Sequence, residues 1–268
     1  MESRTTPHSG LIAPADALPI EAGGLALECL AARALWWPQE RTLFIADVHL
    51  GKAESFRALG VPVPAGPQGP TAATLDRLDG LLSQRQARTL VVLGDLLHAR
   101  AAQSDAVMQP FAAWRARHAS LEIRLLRGNH DAHAGDPPAH LGIELMPEPA
   151  TLGVWRLQHE PRHDWAQTGR SRQAGVPHTH ASGGSNASGP SGTSSAGSAS
   201  GMALSGHLHP VIRLSGRAGD RARLPCFCIA DDEIVLPAFG AFTGGAPVQR
   251  LPGSRCVAIA GNRLFMMS

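Results

Sequence analysis

Five short clusters in this chain hold side chains that could do chemistry: ADVHLGK at 46–52, LGD at 93–95, RGNHD at 127–131, QHEP at 158–161 and GHLHP at 206–210. Together they offer Asp47, His49, Asp95, Asn129, His159, His207 and His209, a set of carboxylate, imidazole and carboxamide donors with no thiolate. Such donors suit Mn²⁺, Fe or Zn²⁺ and suit Ca²⁺ poorly. Seven are more than one ion needs beside open positions for water, and they fit two ions about 3.5–4 Å apart with one carboxylate between them. Paired cations make water a nucleophile at neutral pH and neutralise developing charge, which points to hydrolysis without a covalent enzyme intermediate. Alone, each cluster is a weak signal, and an isolated H-x-H is more often two polar residues on the wet face of a strand. Residues i and i+2 of an extended segment share a side, so His207 and His209 are expected to aim together, with Leu208 opposite.

Such residues need strands to carry them. TLFIAD (42–47), TLVVLGD (89–95) and LEIRLLRGNHD (121–131) each read as an apolar run stopped by polar residues. Between the first two, leucines at 75, 78, 81 and 82 form a helical stripe over 71–86, and 103–118 reads as a second helix. Pro62, Pro64, Pro67 and Pro70 mark a loop, and GLALECL with ALWWP reads as a hairpin ahead of the first run. Alternating strands and helices predict parallel βαβ units, whose chemistry gathers beyond the carboxyl ends of the strands. All three of these clusters fall there. From about residue 151 the chain is strand-rich, which predicts a second, mostly antiparallel sheet. The fold class is therefore α/β (α+β), with residues 1–20 a loose arm and 21–268 one domain.

Residues 181–201 hold 14 Ser or Gly in 21 positions and no charge, aromatic or branched aliphatic side chain. That composition cannot bury enough surface to offset the entropy of ordering it, so a flexible insertion is expected at about 166–201. His178 and His180 fall there and read as solvated loop residues.

Composition sets broad limits. With 268 residues, 43% of them hydrophobic, the chain can bury a substantial core. A net charge of +2 is too weak to imply nucleic acid by itself. Lys52 is the single lysine among 24 basic residues, and tyrosine is absent. The four cysteines, Cys29, Cys226, Cys228 and Cys256, form no disulfide framework and read as buried free thiols. No apolar run is long enough to span a bilayer and no signal-peptide pattern opens the chain, so a cytoplasmic location is expected.

In order and spacing the clusters resemble the calcineurin-like metallophosphoesterase superfamily, whose pattern is D-x-H, G-D, G-N-H-D/E, a later H and G-H-x-H; the resemblance runs over about residues 42–245. ADVHLGKAESFRALGVPVP, GDLLHAR, HEP, GHLHPVIRL and LPAFGAFTGG are similar to one bacterial branch, the ligase-associated DNA damage response endonuclease group (PdeM). That branch joins HEP to GHLHP more briefly, which marks the Ser/Gly tract as an insertion. The resemblance implies a four-layer αββα sandwich of two mixed sheets flanked by helices, with two divalent metals at the sheet ends. Mn²⁺ is expected first, with Fe or Zn²⁺ as alternatives. By the same resemblance Asp47, His49 and His209 hold one metal, Asp95 bridges, and Asn129, His159 and His207 complete the other. His130 would stand near the leaving-group oxygen as acid or electrostatic stabiliser, oriented by Asp131. Lys52, His98, Arg100 and Arg127 border these motifs as candidate phosphate contacts, and Arg213, Arg217, Arg221 and Arg223 as candidates to track a nucleic-acid backbone. The implied substrate is DNA, cut at phosphodiester or 3′-end phosphoester bonds during repair, in association with a DNA ligase and a helicase and with no membrane. Hydrolysis of small phosphoesters such as nucleotides or cyclic nucleotides is the alternative. A non-catalytic scaffold stands behind both, because all seven ligand positions are filled.

Overall fold

A computed structural model describes residues 16–165, 201–216 and 219–267. The insertion at 166–200, with His178 and His180, lies outside the described residues, as do residues 1–15 and Arg217.

The first sheet contains β1 (Ala17–Ala22), β2 (Leu25–Leu30), β3 (Ala34–Trp37), β4 (Thr42–Ile45), β5 (Thr89–Leu93), β6 (Glu122–Leu126) and β7 (Ile143–Met146), side by side in chain order. β1 to β4 form an antiparallel meander, whereas β4 to β7 run parallel. Residues 17–20, expected in a loose arm, instead open β1. Ile20 and Ala22 turn inward while Pro19 and Glu21 face solvent, and an edge strand tolerates proline because one side needs no donor. The crossovers are α1 (Lys52–Ala58), α2 (Pro70–Arg85), α3 (Asp105–Arg117) and α4 (Asn129–Ala134). Both long helices lie where the leucine stripe and the 103–118 segment predicted them; α1 and α4 are too short to show a period.

The parallel strands are apolar at nearly every position because both faces are covered. Leu43, Ile45, Leu90, Val92, Ile123 and Leu125 pack under Leu78 and Leu82 of α2 and Phe111 and Trp114 of α3. Phe44, Val91, Leu93 and Leu126 face the other way, into the layer between the sheets.

The second sheet contains β8 (Ala150–Leu152), β9 (Trp155–Leu157), β10 (Met202–Ser205), β11 (Pro210–Ser215), β12 (Arg221–Ile229), β13 (Glu233–Val235), β14 (Ala246–Pro247), β15 (Arg255–Ala260) and β16 (Arg263–Met267). Its order is β14-β11-β12-β13-β10-β9-β8, with β15 and β16 added on β12. Most pairs are antiparallel, but β10 is parallel to both neighbours, β9 and β13. That parallel centre sends QHEP and GHLHP out of the same sheet edge. The inner face, including Trp155, Leu204, Phe227, Ile234 and Val257, closes the shared core. On the outer face Cys226, Cys228 and Cys256 lie together under Trp165 and Val248, and all four cysteines are free and buried. Among the described residues that packing stands where the four-layer expectation puts a helical layer. None of the described helices is long and apolar enough to cross a membrane.

The sheets are stitched together where the clusters emerge. Ala46 bridges Ala238, Phe239 N–H donates to Ala46 O at 2.8 Å, and Gly240 N–H donates to Asp47 O at 3.1 Å. The LPAFG segment after β13 thus extends the first sheet's ligand loop.

Candidate metal centre

Beyond the strand ends the backbone leaves extended geometry. Asp47, His49, Asp95, His207 and His209 have φ of 53°, 49°, 55°, 65° and 48°. Each is left-handed, which costs a non-glycine residue roughly 1–2 kcal/mol and persists only where surroundings enforce it. The extended reading of H-x-H is therefore corrected: residues 206–209 form a loop after β10, and the two imidazoles diverge. His209 Nε2 lies 3.0 Å from His49 Nε2 and 3.5 Å from Asp47 Oδ1. His207 Nδ1 lies 3.0 Å from both His159 Nε2 and Asn129 Oδ1.

Two donor clusters result, and Asp95 joins them. Its Oδ2 is 3.7 Å from His49 Nε2 and 3.6 Å from His159 Nε2. Donors about 2.1 Å from a shared ion stand about 3.0–3.4 Å apart at tetrahedral or octahedral angles, close to these spacings. Hydrogen bonding supports a cation more strongly. His159 Nδ1–H donates to Leu93 O at 3.0 Å, so its Nε2 presents a lone pair, 3.0 Å from the Asn129 carboxamide oxygen. Two acceptors that close repel unless a cation lies between them. Asp47 Oδ2 is buried without a partner among the described residues, while its Oδ1 accepts His207 N–H at 3.0 Å. Burial, then His209 and Lys52, push the His49 imidazole far below its usual range, which keeps the ring neutral and its lone pair available. The residues present fit a pair of divalent ions.

The glycines of the motifs make room for the donors. Gly94 is left-handed at φ 87°, and a Cβ there would stand 2.0 Å from His159 Nδ1. At Gly128 a Cβ would stand 2.2 Å from Asp95 Oδ1. G-D and G-N-H thus record close approach between motifs far apart in sequence.

His130 reaches the centre differently. Its backbone N–H donates to Asp95 Oδ1 at 2.9 Å, its Nδ1–H donates to His98 O at 2.7 Å, and its ring stacks on His98. That leaves Nε2 without a hydrogen bond among the described residues. Asp131 does not orient this ring, as the family resemblance implied. Its carboxylate accepts the backbone N–H of Gly128 (3.0 Å), the N-cap of α4, and those of Leu97 (2.8 Å) and Leu96 (3.3 Å) in the loop after Asp95. Burial raises its pKa against those bonds. Asp131 is thus a positioning residue that ties the GD loop to the GNHD loop.

The candidate phosphate contacts divide. His98 lies beside the first cluster, Nδ1 3.3 Å from His49 Nδ1, and burial pushes it down to about 4. Lys52 opens α1 half-buried, its pKa lowered by burial and raised by Asp47 and Asp95. Arg127 turns away to a bidentate pair with Asp136, 2.6 Å on each arm, since that partner is one short helix away. Arg100 is exposed in a short 3₁₀ turn, with no ion pair among the described residues.

Two supporting carboxylates were not legible as such. Glu148 accepts the His159 backbone N–H at 2.7 Å. Glu233, fully buried, accepts from Arg162 N–H, His163 N–H, Trp165 Nε1–H and Ser205 Oγ–H, and so anchors the HEP loop to β10. An apolar strand interrupted by one acid (DEIVLP) was the available signal for Glu233.

Comparisons with known proteins bear on the family and the fold. The calcineurin-like phosphoesterase family model matches residues 40–188, more than half of the chain. The crystal structure of Pseudomonas putida nuclease MPE superposes with a TM-score of 0.68 at 39% identity, covering 94% of this chain and 100% of that one. The phosphoesterase Yfce from E. coli matches at 15% identity and a TM-score of 0.32, covering 82% of this chain and 88% of that one. No curated protein matches. The chain belongs to the calcineurin-like phosphoesterase family, and it is a metal-dependent phosphoesterase.

Proposed function

We propose that this phosphoesterase is a manganese-dependent nuclease that cuts phosphodiester or 3′-end phosphoester bonds of DNA in repair, one domain acting in the cytoplasm beside a DNA ligase and a helicase. Asp95 carries the two-metal part of this reading, with one oxygen 3.6–3.7 Å from a histidine of each cluster. Nuclease chemistry draws support from the likeness to the P. putida nuclease, and DNA repair from the PdeM-like motifs.

Asp47, His49 and His209 would hold one ion and Asn129, His159 and His207 the other, with Asp95 shared. Bound there, the pair supplies Lewis acidity and a lowered pKa for water. The chain's own residues do the rest. His159, fixed by Leu93 O, and Asp47, fixed by His207 N–H, hold their donor atoms without reorganisation. His130 Nε2 is the ring position free to hold or deliver a proton at the leaving oxygen.

The test is turnover with Mn²⁺ on nicked, 3′-phosphate and intact DNA beside an aryl phosphodiester. Cleavage of at least one DNA form with kcat/KM above that for the aryl ester supports the reading. Turnover confined to small esters would replace it with a nucleotide-scale phosphodiesterase.

A further inference from the structure

Two open grooves meet at one arginine beside the metal centre. The nearer, about 450 Å³, runs from His209 past Arg223, Thr243 and Gly245 to Arg33. The farther, about 460 Å³, runs from Arg33 to Arg77, Arg85 and Asn262. Because Arg33 lines both, they form one path leading away from His209.

The charges along it are unbalanced. Arg85 is paired with Glu28 and Asp16 is bonded by Gln84, but Arg33, Arg77 and Arg223, and Arg213 beside Arg223 on the neighbouring strand, have no ion pair among the described residues. Arg33 and Arg77 are mostly buried, and burial lowers both pKa values; the charge of Arg33 lowers Arg77 further. Their acceptors are carbonyl oxygens of three consecutive residues. Arg33 Nη1 donates to Ala238 O and Gly240 O at 3.4 Å each, and Arg77 Nη2 donates to Phe239 O at 2.6 Å. Arg77 Nε is buried with no hydrogen-bond partner among the described residues. A guanidinium has five N–H donors, so both arginines hold unspent ones. Burying like charges together without a counter-ion is costly, and an anion relieves it. Arg213 and Arg223 sit directly opposite across β11 and β12, a like-charge pairing that a sheet disfavours unless something negative lies over it.

We propose that this path seats the nucleic-acid strand flanking the scissile phosphate: Arg33 and Arg77 bind a backbone phosphate beyond the metal centre, and Arg213 with Arg223 guides the strand past His209. The proposal rests on the nuclease reading above and extends it, because a mononucleotide has no phosphate to place there.

The experiment is kcat/KM, with Mn²⁺, on an unstructured DNA oligonucleotide and on an aryl phosphodiester, for the intact chain and for Arg33→Gln, Arg77→Gln and Arg33→Lys. The readout is the ratio of the two values. It should fall at least tenfold in each Gln variant and less in Arg33→Lys, which keeps the charge. The salt slope of log KM for DNA should flatten by about 0.7 for each phosphate no longer neutralised. An unchanged ratio overturns the proposal, whether both activities drop together through loss of loop support or neither drops. If the intact chain cuts the aryl ester but no DNA, the nuclease reading fails and this inference falls with it; if it cuts DNA and the ratio holds in the variants, only this inference fails.

Discussion

Gly128 leaves no space for a methyl group beside Asp95: a Cβ there would stand 2.2 Å from Oδ1 and 2.6 Å from the Asp95 backbone nitrogen. The atom in the way is on the shared carboxylate and cannot swing aside without leaving both clusters. Gly128→Ala should therefore lower bound metal by at least about half and turnover at least about 100-fold, the scale of a misplaced catalytic group. Metal content by mass spectrometry, read beside activity, checks it. Full metal occupancy with normal turnover would mean the loop yields more readily than the geometry allows.

His130 and Asp95 should separate when substituted. Asp95→Asn removes the charge both ions would share, so metal content and hydrolysis fall together. His130→Ala removes a ring that packs against His49 but whose Nδ1–H is spent on His98 O, so metal should stay while kcat falls about 10²–10⁴-fold. Loss of metal from His130→Ala comparable with that from Asp95→Asn would contradict this division.

Asp131→Ala tests the tie between the two loops. It leaves the amides of Leu96, Leu97 and Gly128 buried without an acceptor. At about 1–3 kcal/mol for an orphaned buried group, chemical denaturation should show a loss near the top of that range. Asp131→Asn, which keeps an acceptor oxygen, should lose less. Equal stability of all three proteins would remove Asp131 from its positioning role.

A pH-dependent contribution should come from the clamp between the two long helices. Asp79 accepts from His118 at 2.6 Å and Arg117 at 2.9 Å. Burial alone would raise its pKa, but the bonds from His118 and Arg117 outweigh burial and hold it below 3.8. With the folded value below the unfolded one, the stabilisation is full above about pH 4 and fades as the pH falls through the depressed value. The group is partly exposed, so Asp79→Asn should cost only about 0.5–1 kcal/mol at neutral pH and almost nothing in strong acid. An equal cost under both conditions would mean the carboxylate's charge is not what matters.

Replacing residues 181–200 by a few glycines should leave metal content and turnover of small esters within about twofold, since the tract has neither apolar surface nor ligand to offer and loop closure depends weakly on length. Arg162 Nη2 reaches Gly201 O at 3.3 Å, so the described ends of this connection already lie close. Loss of small-ester turnover with the fold intact would assign the tract a role at the centre.

The site was more legible than its support. Short polar motifs ending apolar runs identify a strand and its cargo together, which is why Asp47, Asp95 and Asn129 can be placed from sequence. The conformation of His207 and His209 cannot, because a left-handed histidine looks like any other in sequence. Asp131 and Glu233 escape for a related reason: among the described residues, all three of Asp131's partners and two of Glu233's four are backbone amides, which carry no residue identity. β1 is hidden because Pro19 masks a strand whose alternation covers only two inward residues, Ile20 and Ala22. Arg33 has no motif at all, and only the fold brings it to Ala238 and Gly240.

The pairing of His49 with His209 also constrains timing. The two residues are 160 positions apart, and ribosomes add roughly 5–20 residues per second. For about 8–30 s during synthesis, the His49 side chain exists without its partner from the loop after β10. The first sheet, complete by Met146, meanwhile waits with Phe44, Val91 and Leu93 uncovered until the second arrives. The seven donors are therefore brought together only once the chain has passed His209, and Phe227, Ile234 and Val257, which complete the cover over the first sheet, follow later still.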